Sequence, residues 1–73
     1  MSPEQVRAAR IWLAWTQAEL ADKAKVGLST IKDLESGKRT PIANNLEAIQ
    51  RALESAGIVF GTASVSGPLN AAQ

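Results

Sequence analysis

The sequence from residue 16 to residue 37, TQAELADKAKVGLSTIKDLESG, contains two short helical patterns separated by a glycine. A capping box of the Thr-x-x-Glu type opens the first pattern and predicts a helix over 17–24. Gly27 interrupts the chain, and apolar residues three apart then predict a second helix over 28–36. That helix should end at Gly37, because glycine readily takes the left-handed conformation that follows a helix end.

One further helix is predicted on each side of this pair. Ser2 is a good N-cap and Pro3 suits the first helical position, so the first helix should run over 3–13. Apolar residues at spacings of three and four predict the last helix over 43–56, and Gly57 stops it. The helices should bury one small core, made of Val6, Ala9, Leu13, Leu20, Ala21, Ala24, Val26, Ile31, Leu34, Leu46, Ile49 and Leu53. The predicted fold class is therefore all-α, a small four-helix domain.

The chain changes character after the last predicted helix. Ile58, Val59 and Phe60 form a short β-prone run, and residues 62–66 form a weaker one. Since side chains alternate along a strand, we expect Val59 to face the core while its two neighbours face the other way. So short an apolar strand is marginal alone, which makes it a candidate for dimerisation by pairing with its copy or packing on the partner's last helix. The alternative is that it folds back onto its own last helix.

A length of 73 residues leaves room for one small folded domain. We expect a helical domain over 1–57, a β-strand dimerisation segment over 58–66 and a disordered tail over 67–73. A core of this size is marginal without a disulfide or a metal, so oligomerisation is expected to supplement it.

Composition argues against several classes of function. The chain has no cysteine and no histidine, so it lacks a thiol nucleophile, the commonest general base and the commonest metal ligand. We expect no cofactor, no metal and no enzyme activity, since Glu19 with Asp22 is better explained as helix surface than as a catalytic pair.

No apolar run reaches the roughly 18–20 residues of a membrane span, and residues 1–4 do not resemble a signal peptide. The expected compartment is the cytoplasm.

The net charge of +1 conceals a polarised distribution. Residues 23–39 carry five basic side chains against two acidic ones, a net +3, whereas the rest of the chain has a net −2. A basic middle between acidic ends gives a polarised surface. By itself, this distribution is also what an ordinary solvated charged face shows.

Two short helices joined by a tight turn are the outline of a helix-turn-helix, in which the second helix enters the DNA major groove. Helical periodicity alone does not separate this motif from any small helical bundle. The residue types and their spacing do so, because they resemble the DNA-binding domains of phage repressors and Cro, the wider Xre family: Gln17-Ala18-Glu19-Leu20-Ala21, Val26, Ile31, Leu34-Glu35, Gly37 and Pro41. The resemblance covers about residues 5–56 and implies a phage-repressor-like domain that binds double-stranded DNA.

The resemblance implies that bases are recognised by the outward face of the second helix of the motif. The base-reading positions carry Leu28, Ser29 and Asp33, with Lys32 close by. Ser29 can hydrogen-bond several base edges, and Leu28 can touch a thymine methyl group. Asp33 can accept from a cytosine amino group, and Lys32 can donate to guanine. The alternative is that these four side chains are simply the exposed side of a helix.

Other matched positions concern the DNA backbone. The resemblance implies that Gln17 hydrogen-bonds a phosphate at the start of its helix, where the helix dipole favours an anion. Lys38 and Arg39 follow the second helix of the motif and are expected to clamp phosphates, although the family sometimes reaches a base from this loop. Lys23 and Lys25 are expected to add backbone contacts that release counterions.

Further matched positions concern the packing of the helices. Arg10 and Glu35 match a pair that ties the first helix to the end of the third, although each by itself would be explained as a lone surface charge. Trp15 matches an apolar core position. Trp12 lies one residue off the buried stripe, so it is either half exposed or part of a contact.

The sequence departs from the family pattern at two turns. The family usually has a glycine at the position of Lys25, because the backbone there is left-handed, and another residue in that conformation costs roughly 1–2 kcal/mol. The turn is therefore either strained or reshaped. Ala14 stands where a glycine often ends the first helix, with the same consequence. The usual fifth helix is missing, and the β-prone run replaces it.

The resemblance implies a sequence-specific regulator of transcription that binds a palindromic operator as a homodimer. One alternative is an antitoxin-type module, in which the same fold binds its own promoter and also a toxin. Another is a protein-interaction module that has lost DNA binding, and the basic residues of 23–39 argue against it. Family activators present an acidic patch on the second helix to polymerase. Ala18 lacks the first acid of that pattern, so repressor and activator both stay open.

Overall fold

Four helices followed by a two-stranded hairpin make up the described part of the chain, residues 1–68 of a computed structural model. The elements are α1 (Pro3–Trp12), α2 (Gln17–Ala24), α3 (Leu28–Ser36), α4 (Ala43–Ser55), β1 (Val59–Phe60) and β2 (Val65–Ser66). The all-α class and the four helices are confirmed. α2 and α3 have the predicted bounds, whereas α1 and α4 each end one residue earlier. Within residues 1–68, no helix is both long and apolar enough for a bilayer crossing.

Capping boxes start both α1 and α2. The Thr16 hydroxyl accepts from the Glu19 backbone N–H at 3.0 Å, and the Glu19 carboxylate accepts from the Thr16 N–H at 2.8 Å. Ser2 and Gln5 form the same reciprocal pair at the start of α1. Each box satisfies backbone N–H groups that a helix start otherwise leaves without an intrahelical partner. Local sequence is therefore enough to place both starts.

One apolar core is shared by the four helices. The predicted core residues that are buried are Val6, Ala9, Leu20, Ala21, Ala24, Ile31, Leu34, Ile49 and Leu53. Leu13, Val26 and Leu46 pack against this core while staying partly exposed. α2 packs on both α3 and α4, and α1 packs on α3. These contacts bury one side of α3 and leave its other side to solvent.

The turn between α2 and α3 is strained rather than reshaped. Lys25 is left-handed, with φ 59° and ψ 42°. The Val26 N–H donates to the Ala21 carbonyl at 3.0 Å, which closes the end of α2 around this residue. Ala14, which follows α1, is also left-handed, with φ 58°. A side chain in this conformation costs roughly 1–2 kcal/mol, so both turns lower the stability that the core provides.

The hairpin packs on its own chain, and the expected orientation of its first strand is wrong. The strands are antiparallel, with Val59 opposite Ser66 and Phe60 opposite Val65. Ile58 is 2% exposed and belongs to the core, whereas Val59 is 63% exposed. The reason is the reversal at Gly57, where φ is 100°. After it the Ile58 N–H bonds to the Leu53 carbonyl at 3.1 Å, which brings Ile58 onto the end of α4.

A glutamine of α1 holds the turn of the hairpin. Gln5 is buried, and its Nε2 donates to the carbonyls of Gly61 at 2.7 Å and Ser64 at 3.0 Å. The same side chain accepts from the Ser2 N–H in the capping box of α1. One buried amide thus joins the start of the chain to the hairpin.

The residues after the hairpin contact Trp12. Its Nε1 donates to the Pro68 carbonyl at 3.1 Å. Gly67 approaches the indole so closely that a Cβ at this position would lie 2.6 Å from Nε1. Trp12 therefore belongs to a contact within the chain. Residues 67 and 68, expected to begin the disordered tail, have defined contacts, and the rest of that predicted tail, 69–73, lies outside the described residues.

Candidate nucleic-acid interface

The outward face of α3 carries the four residues predicted to recognise bases. Leu28, Ser29 and Lys32 are exposed, with Leu28 at 39%, and Asp33 is half-buried. Ile31 and Leu34, by contrast, are buried in the core. The 3.6-residue period of the helix puts these two sets on different faces. The structure therefore brings the predicted base readers together on one accessible face of a helix.

Two of the predicted phosphate contacts lie directly beyond α3. Gly37 is left-handed, with φ 77°, and reverses the chain at the end of the helix. The N–H groups of Lys38 and Arg39 then both donate to the Asp33 carbonyl, at 3.0 Å and 3.3 Å. Both side chains are exposed, as is that of Lys25 in the turn before α3. Exposed cations thus lie at both ends of α3.

A cleft beside α3 contains residues that the sequence did not mark. It has a volume of about 250 Å³ and is lined by Ser29, Thr30, Asp33, Arg39, Thr40, Pro41, Ile42 and Asn45. Ile42 is 70% exposed although it is a large apolar residue. Thr40, Ile42 and Asn45 come from the α3–α4 connection and the start of α4, where no local pattern distinguishes them. Only the packing of α4 in the domain places them beside the outward face of α3.

Lys23 has a contact within the domain that sequence reasoning missed. Its Nζ lies 5.0 Å from the centroid of the Trp15 ring, within the range of a cation–π interaction. Trp15 packs partly buried against the core, as its matched position implied. The ammonium of Lys23 is therefore held over an indole in the free protein.

A buried carboxylate joins α1, α2 and α3. Glu35 is 3% exposed, and Arg10 Nε lies 2.8 Å from its Oε2 while Arg10 Nη2 lies 3.0 Å from its Oε1. Gln17, at the start of α2, donates from Nε2 to the same Oε1 at 3.2 Å. The hydrogen bond to Glu35 raises the pKa of Arg10 above its ordinary value, despite the opposing effect of burial. Arg10 and Glu35, the pair that the resemblance implies, thus form an ion pair. Gln17, to which the resemblance assigns a phosphate contact, hydrogen-bonds to the Glu35 carboxylate of this pair.

The comparison with known proteins agrees with this geometry. A family model described as Helix-turn-helix matches residues 6–56, from the fourth residue of α1 to the residue after α4. The match includes α2, α3 and the turn that joins them. No curated protein matches the chain.

Proposed function

We propose that this chain, which belongs to the Xre-type helix-turn-helix family of DNA-binding regulators, regulates transcription by binding a palindromic operator as a dimer. The observation that carries the proposal is the composition of the outward face of α3. That face combines an apolar residue, a hydroxyl, an amine and a carboxylate (Leu28, Ser29, Lys32 and Asp33), the chemical groups that distinguish base edges in the major groove.

The proposed binding mode uses the two ends of α3 for phosphates and its middle for bases. Lys38 and Arg39 neutralise backbone phosphates and set the register of α3 in the groove. Lys25, in the turn before α3, adds a positive charge near the start of that helix. These contacts supply affinity for any duplex, and the side chains on the outward face of α3 select among sequences. The protein acts by occupying DNA, without chemistry of its own.

The experiment that tests this function is selection of bound sites from random double-stranded DNA. We expect an enriched motif made of two inverted half-sites, whose centres lie about 34 Å, one helical turn, or a multiple of it apart. An enriched motif without symmetry would contradict binding as a symmetric dimer. Failure to enrich any motif would contradict sequence-specific binding.

The hairpin is the proposed dimer contact, with Val59 as its apolar centre. Ile58 is excluded from this role because it is buried in its own chain.

Deleting residues 58–73 would remove Ile58 from the core, so a point substitution is the cleaner test. Val59→Lys should give monomers in sedimentation, because a buried unpaired ammonium disfavours an apolar interface. Ile11→Lys, at a similarly exposed isoleucine of α1, is the matched control and should leave the dimer intact. A dimeric Val59→Lys protein that binds the full palindrome normally would place the interface elsewhere, with α4 as the next candidate.

A further inference from the structure

We infer that Glu35 is a positioning residue, which holds the Gln17 side chain ready for a DNA phosphate; the inference rests on the function proposed above. Gln17 Nε2 donates to Glu35 Oε1 at 3.2 Å. A primary amide nitrogen carries two hydrogens, so one bond to the carboxylate leaves the second hydrogen for another acceptor. Gln17 is half-buried at the first position of α2, so part of the side chain reaches solvent beside the helix start.

The carboxylate that would orient Gln17 is itself held from two sides. Arg10 binds both of its oxygens in the bidentate geometry that gives arginine–carboxylate pairs their directional specificity. Arg7 Nη1 donates to the Glu35 backbone carbonyl at 2.9 Å, which restrains the main chain at the same residue. Glu35 therefore presents Oε1 in one orientation, and the amide of Gln17 follows it.

Arg10 also holds the backbone that carries Gln17. Its Nη1 donates to the Trp15 carbonyl at 2.9 Å, two residues before Gln17. One guanidinium thus restrains the start of α2 through the main chain and, through Glu35, the side chain at its first position. The contacts of Arg10 with Trp15 and Glu35, and the contact of Gln17 with Glu35, occur in the free protein. The Gln17 side chain is therefore ordered before DNA arrives.

The consequence is a gain in affinity that does not depend on the DNA sequence. A free glutamine loses the freedom of its rotatable bonds when it binds a phosphate, and ordering it beforehand avoids about a two- to tenfold loss in affinity. Phosphates occur in every duplex, so the gain applies to all sequences alike. This uniform effect distinguishes Glu35 from a base reader, whose loss would change the preferred sequence.

A double-mutant cycle in DNA affinity tests the inference. The background variant is Arg10→Met with Glu35→Leu, because replacing a buried ion pair with apolar residues of similar volume is often neutral for stability. Gln17→Ala should weaken binding by about tenfold in the wild-type protein and by only about one- to fivefold in this background, because the two- to tenfold benefit of ordering is absent there. Equal losses in both backgrounds would show that Glu35 acts only on the fold and would overturn the inference.

The chain supplies a matched control for the glutamine. Gln50 Nε2 donates to Glu54 at 3.1 Å, so the same chemistry occurs between neighbouring turns of α4. Gln50→Ala should leave DNA affinity unchanged in both backgrounds, and a loss as large as that of Gln17→Ala would overturn the assignment.

A second measurement does not depend on DNA. Order parameters of the side-chain amides should show a rigid Gln17 in the wild-type protein and a mobile one after Arg10→Met with Glu35→Leu. A mobile Gln17 in the wild type overturns the inference whatever the DNA result. Absence of any DNA binding by the wild type overturns the proposed function, whereas equal losses in the cycle overturn this inference alone.

Discussion

At the residue scale, Asp33 and Ser29 lead to a direct prediction about specificity. Their side chains lie on the outward side of α3, and each can pair with a limited set of base edges. Asp33→Ala or Ser29→Ala should therefore change the preference at one or two operator positions, by roughly 1–3 kcal/mol each. Binding to operators with every single-base change measures this preference. Asp33→Ala should also raise affinity for unrelated DNA, because the carboxylate repels phosphates.

The control for this prediction is Lys38→Ala. Its side chain is exposed beyond the end of α3 and is proposed to contact the backbone alone, so all sequences should weaken by about the same factor. An unchanged preference after Asp33→Ala would show that this carboxylate does not contact a base.

Lys25 leads to a prediction about stability at the same scale. Its φ of 59° is a conformation that glycine takes without a steric penalty. Lys25→Gly should raise the free energy of unfolding by about 1 kcal/mol, since relief of strain exceeds the extra freedom that glycine has when unfolded. In a domain of this size that corresponds to a Tm higher by roughly 4–8 °C.

The comparison variant is Lys25→Ala, which removes the same charge and keeps a Cβ in the left-handed conformation. It should show no comparable rise in Tm. If Lys25→Gly instead melts below the wild type, the strain at this residue is not the term that limits stability.

At the element scale, the start of α2 depends on pH through its capping box. The Thr16 backbone N–H donates to the Glu19 carboxylate and lowers the pKa of Glu19 below its ordinary value of 4.5. A group whose pKa is lower in the folded state stabilises the fold when it is ionised. That contribution is complete above the ordinary pKa and is lost as the pH falls through the folded value.

Glu19→Gln should therefore flatten the fall in Tm on acidification below about pH 4.5, while neutral stability drops because the charged cap is gone. Thermal melts followed by circular dichroism across this range measure the effect. Glu47→Gln, at an exposed glutamate of α4, should keep the wild-type pH dependence. A pH profile that Glu19→Gln leaves unaltered would contradict a capping contribution.

At the scale of the whole molecule, the proposed dimer should bind DNA with a steep dependence on salt. Each neutralised phosphate adds about 0.9 to the slope of log affinity against log salt concentration. Lys38→Ala removes one such contact from each protomer and should lower the slope by about 1.8. Arg51→Ala, at an exposed arginine of α4 paired with Glu47, should leave it unchanged. A flat salt response of the wild type would contradict DNA binding altogether.

The hairpin and the core form one unit at this scale. Ile58 completes the core, Gln5 holds the hairpin turn, and Trp12 holds the residues that follow. The hairpin is thus part of the domain, and a dimer built on it would use its outer surface. This is why Val59, rather than Ile58, is the residue to substitute.

The sequence by itself determined the helices, because their signals are local. A capping box needs residues three apart, a helix stripe needs residues three or four apart, and a glycine stop needs one residue. α2 and α3 therefore have their predicted bounds, and the exposed set on α3 follows from its period. The resemblance added the pairing of Arg10 with Glu35, which the structure contains as an ion pair.

The tertiary structure alone decided which distant groups meet. The Gln5 contact with the hairpin and the Trp12 contact with Pro68 each span 56 residues or more. Strand alternation leaves two choices for Ile58, and the close packing of the core against the end of α4 selects the buried one. Gln17 meets Glu35 for the same reason, since no local pattern brings the start of α2 to the end of α3. Such contacts depend on the relative placement of whole elements. That placement is set by the minimum of the packing energy of the whole domain, so a short stretch of sequence does not encode it.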